Sequence, residues 1–313
     1  MEMRKLMAFG QSSYIVSVPK GWVKKNKLKK GDILVIEERL NELAISAHEA
    51  GKKSAPKEIS IQSNGKSEVQ LRTEINSAYI NNYDIITVMG EGRQLKTVKS
   101  IIHSLAGMEV LEETSTKIVA KEMLDVKEVS LQNIVRRMDL IIRSMLNDLL
   151  VIKEDLSGSL YERDAEVNRL KMLAFRTTRA AIENPSLLKL FEITYWNATM
   201  TKDVTARLER LADQVKRMAK LIENGALKDK EKMRDFKKIY LAVVKWYAEV
   251  IGIYYAKNKA AAYTNEGEAK NLLRECDDYI EKYKTVPCVK LMQNIKYIIV
   301  SLKGILRDAM EAE

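Results

Sequence analysis

The chain has 313 residues, 46% apolar and 31% charged, which is enough to bury the cores of two domains or three small ones and too apolar for a disordered chain. Its 53 Lys and Arg against 43 Asp and Glu leave a formal charge of +10, a field that attracts polyanions wherever it is concentrated. The most apolar stretches, 239–255 and 291–306, are interrupted by lysines, so no membrane span is expected.

The opening MEMRKLMAFG lacks the apolar core of a signal peptide, which points to the cytoplasm, and Cys276 and Cys288 fit that reducing compartment as free thiols. His48 and His103 lie near neither cysteine, which excludes a zinc finger and leaves both as structural or surface residues. Only 4 prolines and 13 glycines punctuate the chain, and the long spans without either favour helix over strand.

Near the N-terminus, Tyr14, Val16 and Val18 alternate with Ile15, Ser17 and Pro19 as a short strand, and 33–37 forms another after a turn at Lys30-Gly31-Asp32. Pro19 ends the first strand, and GWVKKNKL then makes one or two amphipathic turns that direct Trp22, Val23 and Leu28 inward. So few strands cannot bury a core alone, and the segment is expected to pair with a second copy of itself. Arg4, Lys5, Lys20, Lys24, Lys25, Lys27, Lys29 and Lys30 face only one acid, Glu2, through residue 30. Cations beside Gln11, Ser12, Ser13 and Tyr14, which can hydrogen-bond phosphates or base edges, suit a β-ribbon DNA reader; the plain alternative is a solubilising lysine-rich surface.

The run RKLMAFGQSSYIVSVPKGWVKKNKLKKGDILVI resembles the AbrB/MazE/SpoVT swapped-hairpin domain, with Gly-x-Ser-Ser before the strand, Pro-Lys-x-Trp after it and a Leu-Lys-Lys-Gly-Asp turn. The resemblance implies an intertwined homodimer whose N-terminal arm and strand loops contact DNA. It places Arg4, Lys5, Ser13, Tyr14 and Lys20 near the phosphates, and Lys24 and Lys25 complete the expected DNA-binding set of a domain spanning 1–50.

After a polar linker at 51–57, strands are expected at 59–62, 84–89 and 109–120 and helices at 66–82 and 95–107, giving a small α/β unit over 57–122. Gly90-Glu91-Gly92 has no continuation into a phosphate loop or dinucleotide fingerprint and reads as a turn. The unit is expected to serve as a spacer or a dimer contact.

From residue 125 the chain is almost wholly helical, with helices expected at 129–154, 160–183, 187–224, 231–258, 265–284 and 289–310. Breaks at Glu183-Asn184-Pro185 and Thr285-Val286-Pro287 favour antiparallel neighbours. The six divide into two sets of three, 125–225 and 230–313, an internal duplication in outline. The whole chain is thus expected to be an α+β multidomain protein with an N-terminal β swapped hairpin, a small α/β middle unit and a C-terminal all-α pair of three-helix bundles.

In MTKDVTARLERLADQVKRMAKLIEN, Val204, Leu208, Leu211, Val215, Met218 and Ile222 form the seam of a packed helix. Glu209 and Asp213, four apart, share a face expected to point away from that seam, and their repulsion of a few tenths of a kcal/mol needs a cation. Lys216, Arg217 and Lys220 lie within reach of Asp213, which makes a solvated face. Asp164 and Asn168 form a second oxygen pair on the preceding helix, and the four together are candidate hard ligands for a divalent or ferric ion such as Mg, Mn, Fe or Zn. No Glu-x-x-His pair accompanies them, which argues against a di-iron oxidase.

YERDAEVNRL followed by VTARLERLADQVKRMAKLI is similar to the PhoU domain, over roughly residues 125–313. That similarity implies two three-helix bundles, metal clusters on an acidic surface and a role in phosphate homeostasis. In the second set, matching Leu302 to Leu208 puts Lys303 and Arg307 at the acidic positions, so that set is expected to have lost its site.

No nucleophile-base pair or cofactor loop supports catalysis. The expectation is a non-enzymatic, DNA-binding regulator of phosphate uptake, homodimeric or larger, in which a helical sensor is fused to a DNA reader. An adaptor for a phosphate transporter or sensor kinase is the alternative, with the N-terminal unit serving dimerisation alone. A MazE-type antitoxin ranks third, because its toxin-blocking tail is flexible and this one reads as folded.

Overall fold

The computed structural model describes residues 3–39, 42–47, 55–151 and 156–311. They fall into two compact units, 1–55 and 56–313.

In the first unit, β1 (Met7–Phe9) and β2 (Ser13–Ile15) form an antiparallel hairpin, α1 (Lys20–Lys25) follows, and β3 (Leu34–Arg39) pairs antiparallel with β4 (Glu42–Ala47). The Gly10–Ser12 turn is possible because Gly10 has φ 69, a value that costs a side-chain-bearing residue about 1 kcal/mol. Before β3, the Asp32 carboxylate accepts the Lys29 N–H at 2.7 Å and closes the expected turn. The first strand ends at Ile15 rather than running to Val18, and its partner β1 is only three residues long, too short to show alternation. Trp22, Val23 and Leu28 are only half-buried, and no described side chain of this unit is buried.

The second unit opens with a four-stranded sheet in the order β5-β6-β8-β7 (Glu58–Gln62, Ile85–Met89, Lys117–Glu122, Met108–Glu113), with β5 and β6 parallel and the other pairs antiparallel. The stretch 109–120, expected as one strand, is a hairpin that turns at Thr114-Ser115-Thr116, where the Thr114 N–H donates to Lys117 O at 2.8 Å. Between the strands, α2 (Glu68–Ile80) starts on a capping box of Ser67 and Gln70, and α3 (Arg93–His103) follows Gly92. Leu71, Ile75 and Tyr79 of α2 and Val98, Ile101 and Ile102 of α3 bury against Ile61, Ile86, Val88, Ile118 and Ala120 of the sheet.

The helical part comprises α4 (Leu131–Val151), α5 (Leu156–Glu183), α6 (Pro185–Leu190), α7 (Tyr195–Glu223), α8 (Lys230–Tyr255), α9 (Lys259–Asn265), α10 (Glu268–Tyr283) and α11 (Val286–Glu311). The stretch 187–224 is therefore two helices. Glu192 turns left-handed at φ 53, and the Thr194 hydroxyl accepts the Asn197 N–H at 3.1 Å, so a side-chain cap outcompetes helix continuation. Helices α4, α5 and α7 pack together, as do α8, α10 and α11. α7 also crosses α11, and one hydrophobic core runs through both sets. At that crossing a Cβ on residue 304 would fall 2.1 Å from Arg207 Nη1, so Gly304 lets Arg207 lie across α11 and reach Asp308 at 2.9 Å. All six seam residues of α7 are buried, as the periodicity requires.

Candidate functional site

The expected DNA-contacting residues are all at the surface of the N-terminal unit. Arg4 and Lys5 precede β1, Ser13 and Tyr14 begin β2, and Lys20, Lys24 and Lys25 lie on α1; all are exposed, Tyr14 by 70%. A tyrosine so exposed has its ring and hydroxyl free for stacking or phosphate contact. Arg4 also borders an apolar groove of about 460 Å³ lined by Val16, Val18, Pro19, Trp22, Leu43 and Ile45. The groove is open within one chain, in keeping with the absence of buried side chains among the described residues of this unit.

The carboxylate set on α5 and α7 is brought together around ammonium groups. Lys216 Nζ sits between Asp164 Oδ2 at 2.5 Å and Asp213 Oδ1 at 3.0 Å, while Arg217 holds the other Asp213 oxygen at 2.7 Å. Lys171, two turns after Asp164 on α5, reaches Glu209 at 2.9 Å. Glu209 and Asp213 are half-buried against α5, not on a solvent face beyond the bundle as their spacing suggested. Asn168 is exposed and takes no hydrogen bond from the set.

Burial raises the pKa of Asp164, the Lys216 bond opposes it, and the charges of Asp213 and Glu209 add to the rise. Burial disfavours the Lys216 cation, but its bonds to Asp164 and Asp213 prevail and it stays charged. As placed, these donors do not fit a metal ion: the ammonium groups hold the inner oxygens, and no three His, Cys, Asp or Glu side chains among the described residues could hold one. On α11, Lys303 and Arg307 pair with Glu266 at 3.3 and 3.4 Å.

Sequence reasoning missed a side chain that joins the sheet to the bundle. Arg176 on α5 is 2% exposed; it donates to Tyr79 O at 2.6 Å and Tyr83 O at 3.3 Å, lies over the Tyr79 ring, and has its Nε 3.2 Å from Glu122 Oε2. Met172, one turn earlier, enters the core of the sheet unit. Nothing in the local pattern distinguishes Arg176 from the exposed arginines around it, because its partners are 54 to 97 residues away. Lys216 was legible, three residues beyond Asp213; its bond to Asp164 required the helices to be placed.

Residues 9–50 match the family of antidote-toxin recognition MazE, bacterial antitoxin. The match runs from the last residue of β1 through β2, α1 and the second hairpin and stops short of the sheet and the bundle. No curated protein and no solved structure matches the chain.

Proposed function

We propose that the chain is a DNA-binding regulator that dimerises through its N-terminal unit and receives its signal in the helical half. The observation that carries this reading is a MazE-like unit without a single buried described side chain, in which eight cations face one acid through residue 30. A second copy filling the apolar groove supplies the missing core and places two sets of Arg4, Lys5, Lys20, Lys24 and Lys25 on one assembly. Paired cationic sets displace counterions from DNA phosphates, and Ser13 and Tyr14 add hydrogen bonds or stacking. Catalysis has no part in this scheme.

The resemblance of α5 and α7 to the PhoU pattern supports phosphate uptake as the regulated process, with a transporter or sensor kinase as the source of the signal. The direct test is genome-wide mapping of bound DNA in cells grown at high and low phosphate. Enrichment at phosphate-transport promoters is expected; enrichment elsewhere overturns the phosphate assignment, and none at all overturns the DNA reading. In vitro, Lys20→Ala is expected to weaken DNA binding and to reduce its salt slope by about 1 per site, measured by fluorescence anisotropy across a salt series.

The matched family's description supports a second reading, capture of a toxin. Against it, residues after 125 form long helices on a continuous core rather than a tail available to wrap a partner.

A further inference from the structure

Where α4 and α7 of the first helical set meet α8 and α11 of the second, the bundle holds a cleft of about 230 Å³. Its inner surface is apolar: Val135 and Met200 are buried and Ile193 is half-buried. Around them stand polar groups on rigid helices, the Tyr254 hydroxyl bonded with Thr201, the exposed Tyr255 and the half-buried Asn197. Arg136, one residue after Val135 on α4, lines the same cleft, is exposed, and makes no ion pair or hydrogen bond among the described residues.

The acids at the cleft do not serve Arg136. Asp308 is committed to Arg207 at 2.9 Å, and Glu192 lies on the left-handed corner between α6 and α7, with Lys257 at the end of α8 bringing an opposite charge to the rim. The Arg136 guanidinium therefore has no ion-pair partner among the described residues and stands beside an apolar floor.

We propose that this cleft binds a small organic anion: a carboxylate carried on an apolar body about the size of one ring. An apolar cavity of about 150 Å³ accommodates benzene, so this cleft has room for a ring and a carboxylate, and it is smaller than the pockets that take drug-sized ligands. Arg136 supplies the planar fork that pairs with both carboxylate oxygens, Asn197 and Tyr255 supply neutral hydrogen bonds, and Met200 and Val135 take the ring. Because the walls come from both helical sets, an occupant bridges the seam and stabilises its closed arrangement. The site stands whether or not the N-terminal unit binds DNA.

Calorimetric titration of the full-length protein with sodium benzoate tests this, with benzamide and acetate as the uncharged and ringless controls. Benzoate should bind, and each control at least tenfold more weakly. Arg136→Gln, an exposed position that leaves the fold intact, should weaken benzoate at least tenfold with an unchanged circular dichroism spectrum and Tm, and Met200→Trp should fill the cleft and abolish binding. The proposal fails if benzoate gives no heat, if acetate binds as well as benzoate, or if Arg136→Gln leaves the benzoate affinity unaltered; should Met200→Trp misfold, the Arg136→Gln comparison decides alone.

Discussion

At Lys216 one ammonium group determines what the carboxylates of α5 and α7 can do. With its nitrogen 2.5 Å from Asp164 and 3.0 Å from Asp213, it occupies the position from which a bound cation would have to neutralise them. Lys216→Ala should cost about 1–3 kcal/mol in urea unfolding, because half-buried acids lose their counterion. Millimolar Mn or Mg should then raise the Tm of the variant and leave the wild type unmoved. A wild-type rise that Glu209→Ala/Asp213→Ala abolishes would restore a metal to the site.

Cys276 is the second informative residue. Burial pushes its thiol up to about 12 from an ordinary value of 9.0, with Lys296 opposing. The folded pKa is the higher one, so the unfolded chain releases this proton first, and the stability the neutral thiol contributes is lost as pH rises from about 9 towards 12. Cys276→Ala should therefore show a shallower alkaline loss of Tm than the wild type. In the native protein at pH 8 Cys276 should be inert to a thiol reagent that labels it after unfolding.

Among the elements, α5 carries two duties on different faces, the lysine-bridged carboxylates toward α7 and the Arg176 clasp toward α2 and β8. Glu122, the acid partner of that clasp, is pushed up by burial, with Arg176 opposing, so removing the arginine strands a buried acid. Arg176→Ala should destabilise the protein by about 3–5 kcal/mol, while Arg176→Met with Glu122→Gln should recover much of the loss, as replacement of both members of a buried pair does. Calorimetric scanning should also show the sheet unit melting separately from the bundle in Arg176→Ala. One transition at a lower temperature would mean that Met172 and the shared core hold the two together without the clasp.

For the molecule as a whole, the contrast is between a helical half with a continuous core and an N-terminal unit with no buried side chain among its described residues. A chain that exposes Phe9 by 67%, Ile33 by 69% and Leu43 by 63% within one small unit is expected to cover them with a second copy. Trp22→Asp, which places a charge in the groove beside Val18 and Ile45, should shift the protein from dimer to monomer in sedimentation and release DNA with it. Dimers that persist in the variant would move the interface elsewhere.

Much of this was legible in the residues alone. Periodicity marked the buried seam of α7, Pro and Gly marked the ends of the long helices, and the concentration of lysines before residue 30 marked the charged surface, because each depends on neighbours a few positions apart. The split of 187–224 escaped notice because a Thr side chain can cap a helix or sit within one, and only the local geometry at Glu192 chooses. Which carboxylates of α5 and α7 meet a lysine, which buried arginine ties the sheet to the bundle, and which cation lines a cleft at the seam were decided by tertiary structure. Those outcomes depend on groups from 38 to 172 positions apart, from the Lys171–Glu209 pair to Arg136 and Asp308 lining one cleft, and spacing along the chain carries no information about neighbours at that range until the helices are packed.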